Sequence, residues 1–365
     1  MLRLPLDGLH RELGAKFFEF AGWEMPMKYT SSLRESLAVR NSVGIFDVSH
    51  MGRFILRGGD AVDFLQRATS NDMNVSNGRS RYTLTLNHAG GIRDDNVAFK
   101  LADDFIIFVV NAANREKIWN WFQKLLSQWE MDVQLSDETF KTAMMAIQGP
   151  KARDLVHGVL GMTLNLRKFS VQEHVHEGAR FVISRTGYTG EDGYEIVTWD
   201  LHWAESLFRR LVEAGASPCG LVARDILRLE AGLVLYGNDI DENTNPFEAR
   251  LDFAIKLEKE DFIGRDALVR IREEGIKRLR VGLLSETRNS PRRGDRILRD
   301  GKEVGSVTSG TFSPILGRGI GMGYVRPDLA KVGEELTIEG MKKFKVMVSK
   351  MPFYDESKYG WRRST

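Results

Sequence analysis

Between Tyr82 and Val110 apolar and polar residues alternate through three short runs, Tyr82–Leu86, Val97–Leu101 and Phe105–Val110, broken at Gly90-Gly91 and at Asp103-Asp104. Successive side chains of a strand point to opposite faces, so a period of two with turn residues at the breaks predicts an antiparallel meander. From Asn111 to Gln128 the spacing becomes helical, and Ile118, Trp121, Phe122 and Leu125 form one apolar stripe whose plain reading is core packing.

The chain has 365 residues. A single hydrophobic core stops growing at roughly 250–300 residues, which predicts two or three domains. Residues 10–41 read as helical pieces broken by Gly14 and by Phe20-Ala21-Gly22-Trp23, with a strand after Gly52. Strand-like runs at Ala143–Ile147, Arg180–Ser184 and Tyr194–Thr198 alternate with helical ones at Leu201–Val212 and Val222–Leu235, so the middle of the chain is α+β. Beyond a charged helical connector at Lys256–Arg280, short strands with turn signals such as Asp300-Gly301 predict a small β-barrel-like domain. The glycine-rich Gly317–Gly323 reads as a turn, because it lacks the strand-to-helix setting of a dinucleotide loop.

Composition narrows the function classes. With 42% hydrophobic and 28% charged residues and a net charge of +2, the chain has the makeup of a globular protein and no concentrated basic face, which argues against nucleic acid. The single cysteine, Cys219, rules out an internal disulfide and a multi-thiolate metal site and reads as an inert core residue. His174 and His176 share a face of a strand, but a third ligand is missing nearby, so no metal is expected. Without an apolar run of about 18–20 residues or a signal-peptide core, the expectation is a cytoplasmic protein with no membrane partner. Arg288, Arg292 and Arg293 read first as a solvated face, with docking of an acidic carrier protein as the alternative.

Two stretches can carry chemistry. In Gly91-Ile92-Arg93-Asp94-Asp95-Asn96-Val97 two adjacent carboxylates stand at a strand entrance. If the strand runs back to Asp94, Asp95 shares a face with Val97, Phe99 and Leu101, and Asp94 goes with Asn96 and Lys100. Asp95 is then the partly desolvated carboxylate, the condition of a general base or a stabiliser of positive charge. The competing reading is a turn carboxylate capping N–H groups near Gly91, and a bulge at the turn would swap the faces. The second stretch, Arg185–Glu195, holds three glycines that let the backbone approach a ligand. There Tyr188 can stack on a flat heterocycle and Glu195 can accept two hydrogen bonds from an amino-pyrimidine edge, with an ordinary hairpin as the alternative.

Phe20-Ala21-Gly22-Trp23-Glu24-Met25-Pro26, Phe46-Asp47-Val48-Ser49-His50-Met51-Gly52, Val110-Asn111-Ala112-Ala113-Asn114, Arg185–Gly193, Leu235-Tyr236-Gly237-Asn238-Asp239 and Lys350-Met351-Pro352-Phe353 occur in this order along nearly the whole chain. The ordered set resembles the glycine cleavage T-protein (aminomethyltransferase) family. That resemblance implies a three-domain cloverleaf around a central channel: a split, folate-binding first domain at 1–50 and 136–255, an inserted second domain at 51–135, and a C-terminal β-barrel-like domain at 277–365. It implies that Asp95 is the catalytic residue and that Glu195 and Arg224 bind the folate. Met51, Tyr82 and Tyr188 would form walls, with Val97, Phe99 and Asn111 also in contact with the folate.

The implied reaction moves a one-carbon unit from a lipoylated H-protein to tetrahydrofolate as co-substrate, with the P- and L-proteins of the system as indirect partners. Alternatives within the fold are a folate-dependent demethylase, or a non-catalytic folate-binding module in tRNA modification or iron–sulfur assembly. The chain departs from the family's usual pattern at Arg93 and Asn96, where apolar residues are usual, at Phe169 for Tyr, and at Asp252-Phe253 for Ser-Trp.

Overall fold

The computed structural model describes residues 1–363. Two sheets stacked face to face, with helices on both outer sides, form its centre. One sheet runs in the order Val171–His176, Ala179–Ser184, Gly193–Thr198, Ala143–Gln148, Gly44–Asp47, Ser217–Pro218. The other runs Arg79–Leu86, Ile92–Ala102, Phe105–Val110, Gly52–Arg57, Gln134–Asp137. All its strands come from the chain between Gly44–Asp47 and Ala143–Gln148 of the first sheet.

The pleat explains the layering. Ala143, Met145 and Ile147 point to helices Ala152–Leu160 and Leu201–Glu213. Met144 and Ala146 point the other way and meet Phe99, Ile107 and Val109 of the second sheet. Ala98, Ile106 and Phe108 turn outward onto helices Ala61–Ala68 and Arg115–Trp129, whose Ile118, Trp121, Phe122 and Leu125 are the stripe expected from the sequence. Covered on both faces, Phe105–Val110 is buried throughout. Any residue of Ile92–Ala102 that shares a face with Phe99 therefore looks into the space between the sheets.

The third lobe is a closed six-stranded barrel in the order Leu279–Ser285, Arg318–Val325, Lys302–Ser313, Arg296–Arg299, Glu335–Glu339, Lys343–Ser349, reached through the helix Arg265–Glu274. Its turn at Asp300-Gly301 has φ values of 50° and 78°, the left-handed pair that matches strand twist. The architecture is α+β with a C-terminal β-barrel. No helix among the described residues is long and apolar enough to cross a membrane.

Three expectations need correction. Residues 16–28 are not helical: Lys16–Phe20 and Trp23–Lys28 form a hairpin, with Leu2–Arg3 added parallel to Trp23. Ala21 and Gly22, at φ 52° and 80°, make a tight turn between aromatic residues that suit strands, and only Asp7–Glu12 and Ser32–Asn41 remain helical. The helix expected to reach Leu235 stops at Glu230, since Gly232 takes φ 73°. Finally, only Gly317 of the glycine series is a turn residue, and Gly319, Gly321 and Gly323 lie within the barrel strand Arg318–Val325. A Cβ at Gly319 would sit 2.0 Å from the carbonyl oxygen of Asn289, so this strand lacks side chains because another backbone crosses it closely.

Candidate active site

Where the two sheets part, a cavity of about 590 Å³ opens between them and is closed by the segment 232–253, the barrel and the C-terminal segment. Met51, Tyr82, Asp95, Val97, Phe99, Asn111, Tyr188, Glu195 and Arg224 all line it. The strand Ile92–Ala102 brings in the first group. Its bulge lies at Arg93, because Thr85 faces Asp94 while Leu86 already faces Ile92. The alternation from Asp94 onward is therefore undisturbed, and Asp95, Val97 and Phe99 face the cavity together.

Asp95 does not cap the turn: Asn87 Oδ1 accepts the Gly91 N–H at 2.9 Å. Its carboxylate instead accepts the Tyr82 hydroxyl at 3.1 Å and the Asn111 amide at 2.8 Å. The sequence reading made Asp95 the partly desolvated carboxylate, and it is half-buried; what that reading did not give is the depth of its neighbour. Asp94, on the helix-covered face, is completely buried, whereas Asp95 keeps an opening to the cavity. Burial pushes both carboxyls above the usual range; the charge of Asp95 adds to the effect on Asp94, while the bonds from Tyr82 and Asn111 oppose it at Asp95.

Opposite Asp95 stand the residues of the Arg185–Glu195 loop and the strand after it. Tyr188 is held by a hydrogen bond from its hydroxyl to the carbonyl of Val234, and the Arg224 guanidinium lies over its ring, 4.8 Å from the centroid. The buried Glu195 accepts the Thr186 hydroxyl at 2.5 Å. Arg224 is buried, burial lowers its proton affinity, and its Nη1 has no partner among the described residues. An unpartnered guanidinium nitrogen near a carboxylate on a cavity wall is a donor and acceptor set awaiting a polar ligand.

Tyr82→Phe is expected to keep the wall intact, since the ring still stacks on Phe253 at 5.6 Å, while removing one donor to the ionised form of Asp95. The Asp95 carboxyl then holds its proton to a higher pH, by about one unit or less. Carbon-13 NMR titration of aspartate-labelled protein reads this directly; a fall, or no movement, would show that the hydroxyl does not act on Asp95.

Comparisons with known proteins give the family. Residues 6–259 match the profile described as GCVT N-terminal domain, and residues 278–355 match the glycine cleavage T-protein C-terminal barrel domain. The chain is 43% identical to a probable aminomethyltransferase of Thermococcus gammatolerans, with 98% of each chain covered. It is 42% identical to an aminomethyltransferase of Thermotoga maritima, covering 97% of this chain and 98% of that one. The chain belongs to the aminomethyltransferase family, the glycine cleavage T-proteins. A crystal structure of the glycine cleavage system aminomethyltransferase T from Bartonella henselae superposes with a TM-score of 0.91 at 36% identity, covering 98% of this chain and 99% of that one.

This member of the aminomethyltransferase family, a family of transferases, has wall residues that sequence reasoning did not single out for the site. Lys168, Arg280 and Trp361 also line the cavity. Arg280 is anchored by the carbonyls of Ala249 and Gly232 at 2.8 and 2.9 Å, and Trp361 by its N–H to the Gly190 carbonyl at 2.9 Å. Each is remote in sequence from the glycine-rich loop or the aspartate pair, so local patterning carries no signal for it. Of the departures from the family pattern, Phe169 lines the mouth edge-on to Trp361, and Phe253 covers Tyr82. Arg93 lies over the ring of Trp121, and Asn96 bonds to Asp94.

Proposed function

We propose that this chain transfers the methylene carbon of an aminomethyl group, carried on the dihydrolipoyl sulfur of a lipoylated H-protein, to tetrahydrofolate, releasing ammonia and leaving 5,10-methylenetetrahydrofolate. The observation that carries the reading is the placement of Asp95 in one cavity with Glu195 and the unpartnered Arg224. Tetrahydrofolate, when bound, supplies the nitrogens that take up the carbon. Arg224 and Glu195 offer a donor and an acceptor for its polar edge, and Tyr188 offers a fixed ring face.

Across the reaction, the carbon's bonds to the amine nitrogen and to sulfur break and two carbon–nitrogen bonds form. The two protons lost from the accepting nitrogens leave with ammonia and the thiol. Asp95 stands where a negative charge offsets the cationic character of the carbon in flight, or where a carboxylate takes one of those protons. Excluding water and holding both reactants in line supplies much of the rate, because well-oriented pairs reach very high effective molarities.

The deciding experiment is formation of methylenetetrahydrofolate from an aminomethylated, lipoylated H-protein, with free lipoamide and small methylated amines as alternative donors. Turnover with the lipoylated protein supports the reading. Turnover only with a small methylated donor would make the chain a demethylase, and folate binding without any turnover would make it a binding module.

A further inference from the structure

Asp94 has an environment unusual for a buried carboxylate. It is 0% exposed, and all four of its hydrogen bonds come from amides. The Nδ2 groups of Asn96 and Asn114 donate at 2.6 Å each, and Asn111 donates through its Nδ2 at 2.9 Å and its backbone N–H at 3.1 Å. A buried charge without a paired cation is costly unless its oxygens are fully hydrogen-bonded, and four donors in fixed positions provide that. Asn96 is itself oriented, since its Oδ1 accepts the Thr85 hydroxyl at 2.8 Å.

The same Asn111 nitrogen that bonds Asp94 also reaches Asp95, at 2.8 Å to Oδ1 and 3.0 Å to its carbonyl. One NH₂ group thus spans the two carboxylates. Asp94 and Asp95 are both acceptors, so the amide nitrogen is held between them, and the bond to Asp94 fixes where the second N–H meets Asp95. Without that bond the Asn111 side chain would be free to turn away from the Asp95 carboxylate. We propose that Asp94 is a positioning residue for Asp95, acting through Asn111 to hold the carboxylate aimed into the cavity. The inference rests on the reading of Asp95 as the residue that meets the reacting groups.

The charged and titratable groups around the pair are few. Tyr82 and Tyr188 face Asp95 from the neighbouring strand and from the glycine-rich loop, and Asp239 from the turn before the barrel. Arg280 stands beyond Tyr82. On the side of Asp94, Lys117 is engaged with the Tyr236 hydroxyl at 2.8 Å and with Glu242 at 3.3 Å, and Arg93 lies nearby. Each carboxylate hinders ionisation of the other, so their protons are coupled.

The test is Asp94→Asn, read by carbon-13 NMR titration of the Asp95 carboxyl in the free protein and by steady-state kinetics. The proposal expects the Asp95 titration to move to lower pH by about one unit as its charged neighbour is lost. It also expects kcat to fall about tenfold to a hundredfold, with the folate KM within about threefold of the parent, because the aim rather than the wall is lost. An unmoved Asp95 titration and an unchanged kcat per folded molecule would overturn it, leaving Asp94 a folding residue only. Should Asp94→Asn fail to fold, Asn114→Ala takes its place. It removes one donor from Asp94, touches neither Asp95 nor the cavity, and is expected to move the Asp95 titration in the same direction; no movement overturns the proposal. Asp95→Asn in parallel separates the two readings: if it retains turnover, the role of Asp95 is wrong, whereas its loss beside an unaffected Asp94→Asn defeats only the positioning role.

Discussion

Asp95→Asn is expected to lower turnover by about a hundredfold to ten-thousandfold, the range covered by a positioned acid–base group, while folate affinity changes by less than about tenfold. The substitution keeps the shape of the side chain and its hydrogen bond to Asn111 or Tyr82, and it removes the negative charge. Single-turnover kinetics beside equilibrium folate binding make the comparison, and near-parental turnover would remove Asp95 from the chemistry. The pH dependence has a definite sign. Burial raises the Asp95 carboxyl above its usual range, and in the proposed reaction the ionised form is the active one. Activity should therefore decline on acidification at a pH above the ordinary aspartate value of about 4.

Arg40→Met is expected to destabilise the protein by about 3–5 kcal/mol, the cost of leaving buried charge without its partner. Arg40 is 0% exposed and donates to Glu230 at 2.9 Å and to Glu191 and the Thr189 carbonyl at 2.9 Å each, with the Tyr354 ring beneath it. Removing the guanidinium strands Glu230 and leaves Glu191 with Arg363 alone, and these carboxylates tie the helix Leu221–Glu230, the glycine-rich loop and the C-terminal segment together. Arg296→Met is the control, because its pair with Glu339 lies in solvent and an exposed pair contributes about 1 kcal/mol at most. Calorimetric unfolding of the two variants should show a fall of several degrees for the first and little for the second. Equal effects would mean that the Arg40 cluster is not a structural tie.

The meander and the helix after it were readable because their periods are strong and local, and the aspartate pair was readable because alternation fixes which carboxylate shares a face with Val97. Depth was not. Whether Asp94 or Asp95 is the more buried depends on which sheet face receives the helices Ala61–Ala68 and Arg115–Trp129, a tertiary choice that a single strand does not encode. The hairpin at 16–28 was misread because the segments flanking the break at Ala21-Gly22 were taken as helical rather than as strands. The alternating glycines of Arg318–Val325 were misread because their reason, close contact with segments such as Asn289–Pro291 for Gly319 and Gly321 and Ser306 for Gly323, lies elsewhere in sequence. Of the cavity wall, Tyr188 and Glu195 were legible beside turn glycines, while Met51, Tyr82, Asn111 and Arg224 were named through the family resemblance. Arg280 and Trp361 arrive by lobe packing.

The anchoring of Trp361 to Gly190, and of the Gly360 N–H to Glu191 at 3.0 Å, bears on the order of events during synthesis. The ribosome delivers Asp95 and Glu195 long before the residue that closes the chamber beside them. A nascent chain thus carries Asp95 without the enclosure beside it until Trp361 has emerged.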